Sequence, residues 1–235
     1  MAFRTRFEEM RRIRTALDIA MTLVLLLLMA YSLIGELFHE IVGTLMLVLF
    51  VLHHVLNRRW YPSLFKGKYP ARRMIMTILD MLLLVVMVLQ PASGILMSKY
   101  LYLFLPVSGL SATVREVHLM ISCWGFVLMS IHAGMHLYSP VRKLRKKSRR
   151  AGIVVSAVCA AVSGYGVYAF VKRLFPDYMF RRTVFAFFDF SEPRVLFFLD
   201  YVAIMFLFAT AGLLIMKILI LDRRDLKSIK EILGN

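Results

Sequence analysis

Cysteine is almost missing from this sequence: there are two in 235 residues, Cys123 and Cys159, each inside an apolar run. Placed there, they read as small buried hydrophobes and not as a disulfide or a metal clamp. No Cys-x-x-Cys-His occurs, which excludes covalent haem attachment of the c type. Glycine- and serine-rich linkers, low-complexity tracts and repeats of solenoid period are absent too, so nothing divides the chain into soluble modules. Acidic residues are scarce, 14 against 30 lysines and arginines, for a net charge of +16. That excess does not imply nucleic acid as a partner, because the basic residues sit in short polar segments too small to fold as a binding module.

Apolar residues dominate what remains. They make up 60% of the chain against 19% charged, and they come in runs longer than any soluble core of this size requires. Six runs, at 15–34, 40–56, 74–93, 117–138, 151–171 and 195–220, each approach the roughly 17 to 25 residues of a spanning helix. The first follows the basic segment RTRFEEMRRIR and is longer than a signal-peptide core, so it reads as an uncleaved anchor. With the N-terminus inside, 23 of the 30 positive charges fall on cytoplasmic segments. This bias predicts a multi-pass protein of the cell inner (plasma) membrane with both termini cytoplasmic. Of the outer connections, 35–39 is a tight hairpin, 94–116 is intermediate, and 172–194 is long and aromatic. Within the last, YMFRRTVFAFFDF has the spacing of a short helix lying in the headgroup layer, as a lipid anchor or a docking surface.

All six histidines fall in or beside the second and fourth runs. An imidazole in a bilayer is unfavourable, which makes each a functional candidate. His39 and His53 are 14 residues apart, and so are His118 and His132. Fourteen steps of about 100° return within roughly 40° of the start, so each pair occupies one helix face, with levels about 21 Å apart. An odd number of spans precedes each helix, so the two run parallel. His39 then shares an outer level with His118, and His53 an inner level with His132. Two imidazoles facing inward at each level is the arrangement of two stacked bis-histidine haems, that is, two haem b, in a helix bundle.

Several residues around these pairs carry alternatives. His54 points about 100° from His53, while His136 lies one turn beyond His132 on the same face, so either could replace its neighbour as the inner ligand. Gly43 and Gly125 lie on the histidine stripes, where a missing side chain admits a flat macrocycle or a neighbouring helix. Arg115 and Lys99 outside, and Arg58 and Arg59 inside, are candidates for pairing with haem propionates, or they mark the membrane edges. Glu40 and Glu116 border the outer level, where a carboxylate could tune a ligand through its second ring nitrogen. Asp18 and Asp80 lie toward the inner helix ends and Asp200 toward an outer one. Asp80, the deepest, is a candidate for a quinone site, although pairing with a nearby arginine weighs more. A divalent-metal site built from His53, His132 and His136 competes as a reading, but no acid accompanies those histidines in sequence, and His39 and His118 stay unexplained.

The segments HEIVGTLMLVLFVLHHVLNRRWY and LFLPVSGLSATVREVHLMISCWGFVLMSIHAGMHLYSP together resemble the flavinylation-associated cytochrome family. The shared features are His39 with Glu40 and Gly43, a histidine 14 residues on, and a later helix with His118, Trp124-Gly125 and His132-x-x-x-His136. The resemblance covers about 16–138 and extends remotely to the cytochrome b subunits of hydrogenases and formate dehydrogenases. It implies electron transfer between a quinone or other cytoplasmic-side donor and an extracytoplasmic FMN-bearing flavoprotein. The chain has no flavin-attachment sequence of its own, so any flavin belongs to that partner.

The expectation is an all-α integral membrane protein of about six transmembrane helices. Residues 1–138 form a four-helix dihaem core, and 139–235 add two helices with an aromatic outer loop. The axial ligands expected are His39 with His118 and His53 with His132. The competing class is a non-redox membrane protein, either a metal transporter or an assembly scaffold.

Overall fold

The structure, a computed structural model, describes residues 2–104, 112–183 and 188–232. All regular structure among the described residues is helical: α1 (Ala2–Leu28), α2 (Tyr31–Ile34), α3 (Glu36–Leu56), α4 (Trp60–Leu64), α5 (Ala71–Leu96), α6 (Ala112–Lys147), α7 (Arg149–Lys172), α8 (Phe175–Met179) and α9 (Arg194–Ile232). Five of these are long and apolar enough to cross a membrane: α3, α5, α6, α7 and the Arg194–Ile220 part of α9.

The first of the six apolar runs differs from expectation. α1 continues unbroken from the basic N-terminal segment, and its uncharged portion extends only from Ile19 to Leu28. The chain then turns at Met29 and Ala30, and Ala30 is buried in the same apolar cluster as Phe126 and Phe175. That inward bend divides the run between α1 and α2. Gly35 follows with φ +80°, a left-handed value that glycine adopts without strain, and it redirects the chain into α3. α3 therefore starts at Glu36, and His39 lies a turn inside a helix instead of in a hairpin.

The spanning helices turn apolar surface outward. On α3 the exposed residues Leu37, Ile41, Leu45, Val48, Leu52 and Val55 recur every three or four positions, while Val42 and Met46 face inward and are buried. α5 carries a similar stripe of Met74, Ile78, Leu82, Val85 and Leu89. In water such stripes would be a liability; against lipid tails they cost nothing.

α6 is the shared wall. One side packs on α5, the other on α9, and α9 in turn packs on α7. These backbones meet through glycine. A Cβ on Gly134 would fall 2.0 Å from the Ala209 carbonyl oxygen, one on Gly212 2.2 Å from that of Ile131, and one on Gly166 2.4 Å from that of Ala203. Small residues that let helices touch backbone to backbone are the usual glue of membrane bundles, where no hydrophobic drive operates between helices. Above this seam an aromatic cluster of Phe126, Phe175, Phe197 and Tyr201 joins α6, α8 and α9, with Phe197 and Tyr201 centred 4.6 Å apart. The helix expected within 178–190 is not found among the described residues. The short α8 lies just upstream with Phe175, Tyr178 and Met179 buried in the core, and residues 184–187 lie outside the described ones.

The glycine seam makes a direct prediction. Gly212→Ala should lower stability by about 1–3 kcal/mol or more, since the added carbon overpacks α6 against α9. Gly164→Ala, where nothing lies within 4 Å, should be neutral or slightly stabilising. Thermal unfolding of both variants in the same detergent checks this.

Candidate functional site

A cavity of about 1140 Å³ opens between α3, α5 and α6 and reaches the ends of α7, α8 and α9. Its size is at or beyond the upper end of the roughly 300–1,000 Å³ typical of small-molecule sites. His39 and His118 both line it, as do Gly43, Gly125 and Arg115. The two rings approach each other with centroids 6.3 Å apart and planes at 71°. Since His39 meets His118, α3 and α6 share this level, as the parallel course expected from the odd number of preceding spans predicts.

α5 fixes the state of His118. The Ser93 hydroxyl donates to the Gln90 carbonyl at 2.8 Å, so toward His118 Nδ1, 2.8 Å away, it serves as acceptor. Nδ1 therefore carries the proton and Nε2 the lone pair, which accepts from the Gln90 side-chain amide at 3.0 Å. A movable side chain thus occupies the one basic position of the ring, and Gln90 Oε1 is buried without a partner. His39 touches Tyr31 edge-on at 5.2 Å, and its Nδ1 is buried and unpaired. A buried polar atom left unpaired is costly, so two at one cavity indicate a site shaped for something further.

Gly43 meets only Leu28, at 3.9 Å from an added Cβ, and leaves the cavity open there. At Gly125 an added Cβ would come within 3.0 Å of Val86, so this glycine serves helix packing as well as lining the cavity. Arg115, three residues before His118, lines the cavity and makes no ion pair among the described residues. Lys99 does not reach into this site as a free cation; it pairs with Glu36 at 2.7 Å. Arg58 lies in the exposed turn after α3, away from the cavity.

The second level is built differently. Nδ1 of His53 lies 2.9 Å from Asp18 Oδ1 on α1, and Nδ1 of His132 lies 3.0 Å from Asp80 Oδ1 on α5. The first contact is a hydrogen bond; the second has ion-pair distance without hydrogen-bond alignment, and Asp80 Oδ1 stays buried with no other partner. Each ring thus has a carboxylate on one nitrogen and Nε2 left over. His54 is occupied elsewhere, bonded to the Tyr61 hydroxyl at 2.7 Å and packed on Phe50. His136 stacks near His132 at 4.6 Å and borders a separate cavity of about 200 Å³ with Arg72 and Arg142. No ring contact joins His53 to His132 among the described residues.

Two readings of the acids are corrected here. Glu40 does not serve a histidine: its carboxylate accepts from Ser98 Oγ at 2.7 Å and from the backbone N–H groups of Lys99 and Leu101 at 2.7 and 2.9 Å, clamping the loop after α5. Glu116 pairs with Arg181 at 2.6 Å. Asp18 and Asp80, both expected toward inner helix ends and Asp80 beside an arginine, are the acids that accompany histidines. They stand far from those histidines in sequence, which hid the pairing. Among the described residues no three His, Cys, Asp or Glu side chains converge as a metal site.

Sequence reasoning also missed an ion network on the cavity wall. Asp200, fully buried on α9, accepts from Arg173 Nε and Lys172 Nζ, both at 2.9 Å, and from the Tyr165 hydroxyl. Glu192 takes the remaining donors of Lys172 and Arg173 at 2.6 Å each. Burial pushes the Glu192 carboxyl up, but Lys172 and Arg173 outweigh it and hold it below its ordinary value. The two helices read as additions to the core therefore supply charged and aromatic wall to the histidine cavity.

Compared with protein-family models, curated proteins and solved structures, the chain matches none.

Asp200→Ala should cost about 1.5–3 kcal/mol by removing the buried carboxylate that Arg173, Lys172 and Tyr165 share, while Glu192 still holds the two cations. A carboxyl depressed by folding contributes stability that is fully present above its unfolded value of about 4.3 and is lost as pH falls through the folded value. Glu192→Gln should therefore destabilise at pH 7, and its deficit should shrink below about pH 4. Thermal unfolding of both variants across pH measures each effect.

Proposed function

We propose that this chain is a dihaem b-type cytochrome related to the flavinylation-associated cytochromes, carrying electrons across a membrane. The observation that carries the reading is the approach of His39 and His118 across one large cavity. Two metal–imidazole bonds of about 2 Å, with half of each ring, make a separation of about 6 Å, against the 6.3 Å present. The tautomer of His118, with Nε2 basic and covered only by the Gln90 amide, suits a ligand that binds through Nε2 once Gln90 swings away. The orphaned His39 Nδ1 and Gln90 Oε1 fit the same reading. A zinc-type centre needs three or four convergent ligands, whereas axial ligation needs two.

In this proposal His39 and His118 hold one haem and His53 and His132 the other. His53 and His132 are preferred over His54 and His136, because each already has a carboxylate on Nδ1 and a free Nε2. Each haem, when bound, supplies a one-electron couple. Arg115, without an ion pair among the described residues, offers its guanidinium to the propionates at the first level. The aromatic cluster and the lipid-facing helices keep water from the cavity's flank. α1 with α2 forms a sixth crossing, the basic segments face the cytoplasm, and the chain sits in the plasma membrane. A quinone or another cytoplasmic-side donor and an extracytoplasmic FMN-bearing protein are the exchange partners.

The test is a reduced-minus-oxidised spectrum of the purified, haem-supplied protein with pyridine haemochrome quantification. Two b haems per chain are expected, falling toward one in His39→Ala and in His132→Ala. A colourless protein after adequate haem supply sinks the proposal and favours a metal-binding or scaffolding role. Arg115→Leu should speed haem loss to apomyoglobin by about tenfold or more, since a hydrogen bond to a charged group is worth about 1.5–3 kcal/mol. An unchanged rate would remove Arg115 from the site.

A further inference from the structure

Resting on the dihaem reading, we propose that Asp18 and Asp80 are positioning residues that make the centre held by His53 and His132 the lower of the two in midpoint potential. The two levels use the same ligand type and differ in what stands behind the rings. Behind His53 is a carboxylate at 2.9 Å, and behind His132 another at 3.0 Å. Behind His118 is the neutral Ser93 hydroxyl, and behind His39 Nδ1 there is nothing. Asp18, hydrogen-bonded to His53 Nδ1, draws the ring proton toward itself and leaves Nε2 a stronger donor. Asp80, at ion-pair distance from His132 without hydrogen-bond alignment, acts through its charge. Both favour the more positive oxidation state of the iron.

The surroundings do not cancel this difference. Four cations and four carboxylates line the first cavity, and the buried Asp200 behind Lys172 and Arg173 makes a fifth carboxylate, but none of these carboxylates lies on a histidine nitrogen. At the second level Arg72 and Arg142 border His136, and Arg14, one turn before Asp18 on α1, is exposed, so solvent screens its charge. Asp80 is the more effective of the pair: its side chain is 19% exposed against 56% for Asp18, so less solvent screens it. Internal transfer then runs one way. The iron at the His53–His132 level is oxidised by one electron and the iron at the His39–His118 level is reduced by one, with no proton or third reactant consumed. A single electron on the chain rests at the His39–His118 level at equilibrium. Under the proposed orientation that is outward, toward an extracytoplasmic acceptor.

The experiment is a potentiometric titration of the full haem-loaded chain, read from the α-bands, for wild type, Asp80→Asn, Asp18→Asn and Asp80→Glu. The lower potential should rise by a tenfold change in the redox equilibrium, about 59 mV, in Asp80→Asn and by less in Asp18→Asn. Asp80→Glu, which keeps the charge, should restore it, and the upper potential should not move in any variant. His53→Ala identifies the centres, because its single remaining haem should titrate at the upper wild-type potential. A lower potential unchanged in both Asn variants, or a His53→Ala haem titrating at the lower value, overturns the assignment while two haems per chain leave the dihaem reading standing. Should Asp80→Asn lose a haem, Asp18→Asn and Asp80→Glu decide the same question. A wild-type chain with fewer than two haems fails the dihaem reading itself, and this assignment with it.

Discussion

A polar group inside a bilayer has no water to turn to, and this constraint organises the whole chain. Once α3 and α5 give their apolar stripes to lipid, every buried carboxylate, hydroxyl and imidazole must find its partner within the bundle. Most do. Glu40 gathers the amides of the loop after α5, Asp200 gathers Arg173, Lys172 and Tyr165, and Asp18 and Asp80 each meet a histidine. His39 Nδ1 and Gln90 Oε1, on one cavity, are among the few left over. Asp80 Oδ1 is the other such atom among the described residues, so what distinguishes the cavity is that it holds two of them.

The same constraint explains why α6 carries so much. A helix bearing both His118 and His132 cannot face lipid with those residues, so it is enclosed by α5 on one side and α9 on the other. Enclosure without a hydrophobic drive demands close backbone contact, which Gly134 and Gly212 supply between α6 and α9, as Gly166 does between α7 and α9. The end of α7 and the aromatic cluster then close the far side of the cavity. Support and site are built from one set of contacts, which is why α9 bears residues that matter at a histidine level it never ligates.

How much was legible from sequence follows from what each feature depends on. Helical runs depend on local composition, and five of the six appear as long apolar helices. The equal spacing of His39–His53 and His118–His132 is a property of helical periodicity. The parallel course read from the count of preceding spans put His39 level with His118, whose rings do approach. No such ring contact joins His53 to His132 among the described residues. Pairings between distant segments have no such periodicity: Asp18 with His53 and Asp80 with His132 join separate helices, while Glu40, adjacent to His39 in sequence, points to another partner. Proximity along the chain misled there, because neighbouring residues on a helix face directions about 100° apart. The division of the first run at Ala30 was hidden for a related reason. Alanine carries no breaking signal, and the bend comes from its burial against α6 and α8.

α3 between His39 and His53, and α6 between His118 and His132, contain neither proline nor break; Pro140 of α6 comes only after His136. Both levels are therefore mounted on two continuous rods, and their separation is a multiple of helical rise. Loop changes cannot alter it, and a thinner bilayer that tilts the rods tilts both levels together. Under the proposed dihaem reading such a mount would act as a ruler: tunnelling rates fall steeply with distance, and the rate between levels would stay constant while lipid composition and outer loops vary.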